Sequence, residues 1–224
     1  MQVLELDIWS DIACPWCYIG TRRLRNGIAR FHETHPGTEV DITYHSFLLT
    51  PDMDVDFAGS EADFLVDRKG VPRAQVQEML DSVTGIARTE GLELDFATLR
   101  PANTAKAHEL VHFAKSRGTQ AAMNERLFRA HFGEGRHVGR VEDLAELAAE
   151  VGLDRADVLE ALRSGAYEAA VRADLDRAAA LGIRGVPFYV IDGAYGVSGA
   201  QSPATFAAAL ERAVTDEARA TRGH

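Results

Sequence analysis

Apolar residues along the chain switch period several times, and each switch marks an element. Val3, Leu4, Leu6 and Ile8 form an alternating apolar run that predicts a strand over 3–9. From Pro15 the spacing becomes helical, with Ile19, Leu24, Ile28 and Phe31, so a helix is expected over 15–31, ending before the turn signal His35-Pro36-Gly37. Over 39–49, Val40, Ile42 and Tyr44 alternate with Asp41, Thr43 and His45, the period of a half-buried strand. His45 is expected to pack or hydrogen-bond at the sheet edge.

Beyond about residue 50 the alternation disappears and helical spacing takes over until about residue 160. Val76, Met79, Leu80, Val83 and Ile86 make a core-facing stripe on a helix opened by Pro72 and closed by Gly91. Asn103 follows Pro101 and can cap a helix through Leu110, Val111 and Phe113. Met123, Leu127, Phe128 and Phe132 form a further stripe before the glycine-rich turn at 133–137. Three alanine-rich helices are expected over 141–151, 155–162 and 167–181, separated by Gly152 and Gly165, and no repeat period joins them.

The apolar run Val186-Pro187-Phe188-Tyr189-Val190-Ile191 carries a proline at its head, where a ladder donor is missing. A cis Val186–Pro187 bond in a tight turn supplies a reason, and a trans proline that simply starts the strand is the alternative. Asp192-Gly193 marks a hairpin, 195–198 a final strand, and Ser202-Pro203 opens a last helix ending near residue 214. The pattern is α/β: segments 1–50 and 165–215 hold the strands, an all-helical insertion fills 51–164, and 216–224 is expected to be a flexible tail.

Composition narrows the function classes. With 224 residues, 46% hydrophobic and 26% charged, the chain can build a substantial core and has no disordered or fibrous bias. It carries 24 basic against 34 acidic residues, a net charge of −10, and no basic cluster with interleaved aromatics. Nucleic acid is therefore an unexpected partner. No apolar stretch reaches the ~20 residues that span a bilayer, and the amino terminus has no basic segment followed by an apolar one. A cytoplasmic protein is expected.

The candidate chemistry lies in the only two cysteines, Cys14 and Cys17, at the junction of the first strand and first helix. Pro15 suits the first helical position, where a missing N–H costs nothing. With Cys14 as N-cap, Cys17 falls one turn later on the same face, close enough to bridge. Unpaired amides and the helix dipole favour a thiolate at the helix head, which makes Cys14 the expected nucleophile and Cys17 the resolving thiol. The same spacing can supply half of a zinc site or an inert buried pair. The other half of a zinc site is missing: there is no second cysteine pair, and His108 and His112, four apart, would need further ligands. Arg22, Arg23, Arg25 and Arg30 on the first helix read as a solvated face or as an anchor for an anionic substrate.

The sequence as a whole resembles the FrnE-like branch of the DsbA family. The likeness rests on Asp11-Ile12-Ala13-Cys14-Pro15-Trp16-Cys17-Tyr18-Ile19-Gly20, Asn103-Thr104 with His108, Gly185-Val186-Pro187-Phe188, and Ser198-Gly199-Ala200-Gln201. It implies a thioredoxin-like fold with a large all-helical insertion and a thiol–disulfide oxidoreductase in which Cys14 attacks and Cys17 resolves. Pro15 and Trp16 would tune the disulfide. Pro187 would be cis and face the cysteines, and Val186 would present backbone groups to an extended substrate. Implied partners are a disulfide-containing protein or small-thiol substrate and a cellular reductant, with no tightly bound cofactor and glutathione as a possible co-substrate; a homodimer is compatible. Similar proteins that share the layout but carry serine at the place of Cys14 are glutathione-dependent isomerases of hydroxychromene carboxylate and kappa-class glutathione transferases. They imply an alternative, an isomerase or transferase of small aromatic or polyketide-like substrates with Asn103 and His108 as contacts. A binding module with a redox latch or zinc anchor is the non-enzymatic alternative.

Overall fold

A computed structural model describes residues 2–222, with side chains to Asp216. One sheet organises it, four strands in the order β2-β1-β3-β4. β1 (Gln2–Ser10) runs parallel to β2 (Thr38–Ser46), with Leu4 opposite Val40 and Trp9 opposite His45. β3 (Phe188–Ile191) is antiparallel to β1, and β4 (Tyr195–Ser198) closes a hairpin on β3. Between β1 and β2 runs α1 (Pro15–Thr34); α8 (Glu168–Ala180) leads into β3, and α9 (Pro203–Arg222) follows β4. This is the thioredoxin-like fold.

Alternation in β1 sends its residues to two different environments. Leu4, Leu6 and Ile8 join Phe31 of α1 and Phe206 and Leu210 of α9 in the main core. Trp9, on the other face, packs with Val190, Ala178 and Ile183. α1 and α9 meet at Gly27, where a Cβ would stand 2.6 Å from Phe206 Cβ and 2.9 Å from the Pro203 carbonyl oxygen, so only glycine permits the approach.

Six helices make the insertion: α2 (Glu61–Lys69), α3 (Arg73–Thr89), α4 (Ala105–Ser116), α5 (Gln120–Gly133), α6 (Val141–Ala149) and α7 (Arg155–Ser164). α2 starts with a reciprocal Ser60/Asp63 capping box and stops at Gly70, whose φ of 65° is left-handed. Leu110, Phe113, Leu127, Phe128, Phe132 and Leu144 belong to the same buried cluster as Leu4 and Ile8. The insertion thus shares one core with the sheet. Among the described residues no helix is long and apolar enough to cross a membrane.

Several expectations change. The α3 stripe is narrower than its spacing implies: Val76, Leu80, Val83 and Ala87 are buried, whereas Met79 is 41% exposed. Thr104 holds the N-cap position of α4 without a side-chain cap bond; the capping bond comes from Asn103, one residue earlier, which accepts the Ala105 N–H at 2.9 Å and donates to the Met53 carbonyl at 2.8 Å. The last helix does not stop near 214. It continues to Arg222 because no glycine or proline interrupts 204–222, and of the expected tail Gly223 and His224 lie outside the described residues. Arg22 and Arg23 are neither a solvated face nor free anion anchors, since Arg22 pairs with Glu125 and Arg23 with Glu90 at 2.6 Å, binding α1 to the insertion. Arg25 and Arg30 are exposed.

His45 does hydrogen-bond on the edge strand β2, but in a buried network that its sequence neighbours do not reveal. Its Nδ1 and Nε2 each lie 2.7 Å from a carboxylate, Asp174 and Asp7 respectively. Asp174 also accepts from the Ser46 N–H at 2.8 Å and from His112 Nε2 at 2.9 Å. His108 and His112 therefore diverge to different carboxylates. Among the described residues no three His, Cys, Asp or Glu side chains gather as metal ligands.

Candidate active site

Cys14 is the N-cap of α1 and Pro15 its first helical residue, so the backbone turns from strand to helix at the first sulfur. Cys17 follows one turn later, and both cysteines are free, buried thiols. The Cys14 thiol reaches the Val186 carbonyl oxygen at 3.7 Å. The Val186–Pro187 peptide is cis.

Gly20 lets these parts meet. A Cβ there would stand 2.3 Å from Tyr189 Oη and 3.2 Å from Pro187 Cγ, so the bare backbone of α1 makes room for the head of β3. Of the residues expected at the site, Cys14, Cys17, Val186 and Pro187 come together; Pro15 is half-buried beside them and Trp16 is 40% exposed. Burial pushes the Cys17 thiol well up, and the adjacent Cys14 sulfur adds to the effect. The Ser10 hydroxyl and the Asp11 N–H bond to the Cys17 sulfur and oppose it.

His108 and Asn103 stand elsewhere. His108 is buried, with Nε2 donating to Asp11 Oδ1 at 3.3 Å, and Asn103 holds the loop carrying Met53. Asp11, which opens the motif behind the resemblance, is a residue to which sequence reasoning gave no role. It is 0% exposed, and its carboxylate accepts from Thr104 Oγ1 at 2.7 Å, the Leu49 N–H at 2.8 Å and the Ala13 N–H at 3.2 Å as well as from His108. Its carbonyl accepts the Cys14 N–H at 3.0 Å. Burial alone would raise its pKa, but His108, the Leu49 amide and the Thr104 hydroxyl outweigh burial and lower it. The available signal was the pairing of Thr104 with His108, the N-cap of α4 and a residue one turn into it, and so on one side.

In front of Cys14 opens a pocket of about 340 Å³ between the motif and the insertion. Trp16, Phe64, Met79, Leu80 and Phe96 supply apolar wall, while Glu61, Arg68, Lys69 and His131 interrupt it. Burial raises Glu61 to about 7 and lowers His131 to about 4. His131 was missed because it sits inside an apolar stripe, four residues after Leu127.

Residues 5–211 match the sequence profile of the DSBA-like thioredoxin domain family. The chain belongs to this family. Within it, a probable DsbA oxidoreductase from Streptomyces coelicolor has a crystal structure that superposes with a TM-score of 0.87 at 39% identity, over 95% of this chain and 90% of that one. The uncharacterized protein YwbO of Bacillus subtilis strain 168 is 29% identical over 96% of this chain and 98% of its own. The cytosolic disulfide reductase DsbM of Pseudomonas aeruginosa, solved with GSH, shares the fold at 22% identity and a TM-score of 0.65, covering 94% of this chain and 99% of that one. Thiol–disulfide chemistry is the DSBA-like family's field.

Proposed function

We propose that this protein reduces or isomerises disulfides in the cytoplasm, with Cys14 as nucleophile, Cys17 as resolving thiol and a small thiol such as glutathione as reductant. The observation that carries this reading is the Cys14 sulfur at the head of α1, against the Val186 carbonyl, with the Cys17 thiol one turn behind it. The Cys14 thiolate attacks a substrate disulfide and forms a mixed disulfide, expelling one substrate sulfur as a thiolate. Cys17 then attacks the Cys14 sulfur, forms the Cys14–Cys17 disulfide and expels the second. Two electrons pass from the dithiol to the substrate, and two molecules of reducing thiol restore the dithiol, leaving as their own disulfide.

The raised Cys17 pKa fits this order. Part of what holds its proton is the neighbouring Cys14 sulfur, and that contribution changes once Cys14 is capped by substrate. Pro15 and Trp16, between the cysteines, tune the stability of the disulfide. The cytosolic, GSH-bound neighbour supports a reducing role and glutathione as the recycling thiol.

The test is a trapping experiment. Cys17→Ser should accumulate a mixed disulfide through Cys14, detected by mass, while Cys14→Ser should form none and lose turnover in a dithiol–disulfide assay. Undiminished turnover in Cys14→Ser would end the proposal.

A further inference from the structure

We propose that Arg68, with Lys69 beside it, binds the carboxylate of a low-molecular-weight disulfide whose aromatic body fills the pocket in front of Cys14, an assignment that takes Cys14 as the attacking thiol. Cys14 forms part of the pocket wall, so a disulfide seated there lies beside the nucleophile. A volume of about 340 Å³ suits a small molecule rather than a folded partner, for small-molecule sites span roughly 300–1,000 Å³. The exposed large hydrophobics Trp16, Leu49 and Met79 all lie on this pocket and give it an apolar rim against which rings can pack.

α2 gives the pocket a direction. Glu61, Phe64, Leu65 and Arg68 recur at helical spacing and all line it, so one face of α2 runs from acidic through apolar to basic over about 10 Å of helix axis. The basic end is the one tied to the cysteine motif. Arg68 Nη2 donates to the Leu49 carbonyl at 3.3 Å, the Leu49 N–H donates to Asp11 Oδ2 at 2.8 Å, and the Asp11 carbonyl accepts the Cys14 N–H at 3.0 Å. The contacts of Arg68 Nη1 with Asp52 are long, 3.4 Å to each oxygen, and the Asp52 side chain is 72% exposed, so this pair is weak and leaves donors of the guanidinium fork for a ligand. Two cations, Arg68 and Lys69, thus stand against one carboxyl in the lining, that of Glu61, at the other end of α2, and its burial leaves it partly protonated near neutral pH. The planar fork at the motif end matches a carboxylate bidentately. His131 is 2% exposed with its Nδ1 sealed, and it belongs to the floor of the pocket rather than to the ligand contacts.

Binding is tested first without redox chemistry, on the full chain carrying Cys14→Ser and Cys17→Ser, by calorimetry with thiodibenzoate, an aromatic sulfide that has a carboxylate on each ring and no S–S bond to exchange, and with dipyridyl sulfide, its neutral counterpart. Saturable binding of thiodibenzoate is expected, weakened about tenfold or more by Arg68→Gln, the loss of a charge-assisted hydrogen bond, and less by Lys69→Gln. Arg68→Gln, at an exposed position, should leave the affinity for dipyridyl sulfide unchanged, which separates a carboxylate contact from a deformed pocket; Met79→Gln, at the exposed rim, should weaken both. S-methylglutathione brings carboxylates without an aromatic body and should bind about tenfold or more weakly than thiodibenzoate. In turnover, Arg68→Gln should raise the KM for dithiobis(nitrobenzoate) about tenfold or more, with little change in kcat and none in the KM for dipyridyl disulfide. No saturable binding of thiodibenzoate, equal effects of Arg68→Gln on the charged and neutral sulfides, or equal binding of S-methylglutathione would overturn the assignment. Binding with the expected dependence on Arg68 but without any Cys14-dependent turnover would uphold the pocket and reject the oxidoreductase reading instead.

Discussion

Replacing Asp11 should do more damage than its place in a loop implies. Asp11→Ala leaves the Leu49 N–H, the Thr104 hydroxyl, His108 Nε2 and the Ala13 N–H without their shared acceptor, the Thr104 and His108 groups fully buried. Two of those bonds, at 2.7 and 2.8 Å, are of ordinary length and two are long, so the four do not simply add. Removing one member of a buried charged cluster costs about 3–5 kcal/mol, a large share of the ~5–15 kcal/mol that keeps a domain folded. Asp11→Asn keeps the shape and one accepting oxygen. Its amide would face the Leu49 N–H, a cost of about 1–3 kcal/mol.

Urea unfolding followed by tryptophan fluorescence measures both losses, since Trp9 is buried in the sheet. The pH dependence separates charge from shape. The folded state lowers the Asp11 pKa, so its carboxylate contributes stability fully above the unfolded value of about 3.9 and loses it as pH falls through the folded one. The gap between the native protein and Asp11→Asn should therefore narrow as pH falls below about 4; other acids titrate in both proteins and cancel. A gap of under about 1 kcal/mol for Asp11→Ala at neutral pH, or one for Asp11→Asn that ignores acid, would refute this account of Asp11.

Two further outcomes follow from the same physics. Gly20→Ala should cost about 1–3 kcal/mol by overpacking, because the new methyl collides with Tyr189 Oη and presses on Pro187, and it should slow disulfide exchange by moving β3 from Cys14; unchanged unfolding midpoint and unchanged exchange rate would contradict it. Asp174→Asn should destabilise at neutral pH by about 1–3 kcal/mol, since Asp174 accepts from His45, His112 and Ser46. The Asp174 pKa is lowered by His112 and His45 against the opposing effect of burial, so this loss should shrink as pH drops below the usual carboxylate range, and thermal unfolding across pH would expose a constant loss as evidence against it.

What could be read from the sequence was what one element reveals about itself. Alternation in 3–9 and 39–45 identifies strands because a pleat sends neighbours to opposite faces, and a proline after Cys14 marks a helix start because that position lacks no bond. These rules placed Cys14 at a helix head without any tertiary information. They could not find the carboxylate behind it, because a polar residue between a strand and a helix looks like any loop residue until α4, about ninety residues later, returns with Thr104 and His108 to meet it. The same gap hid His131 and misplaced Met79: helical spacing selects a face but does not say where the neighbouring helix ends and a pocket begins. His45 met its partners at separations of 38 and 129 residues, and Cys14 met Val186 at 172. The place of the cysteines is therefore set by local signals, while what surrounds them is set by long-range closure of the insertion over them. Substitution of Cys14 should accordingly abolish exchange with every disulfide, whereas Cys17→Ser should stop each exchange at the mixed disulfide.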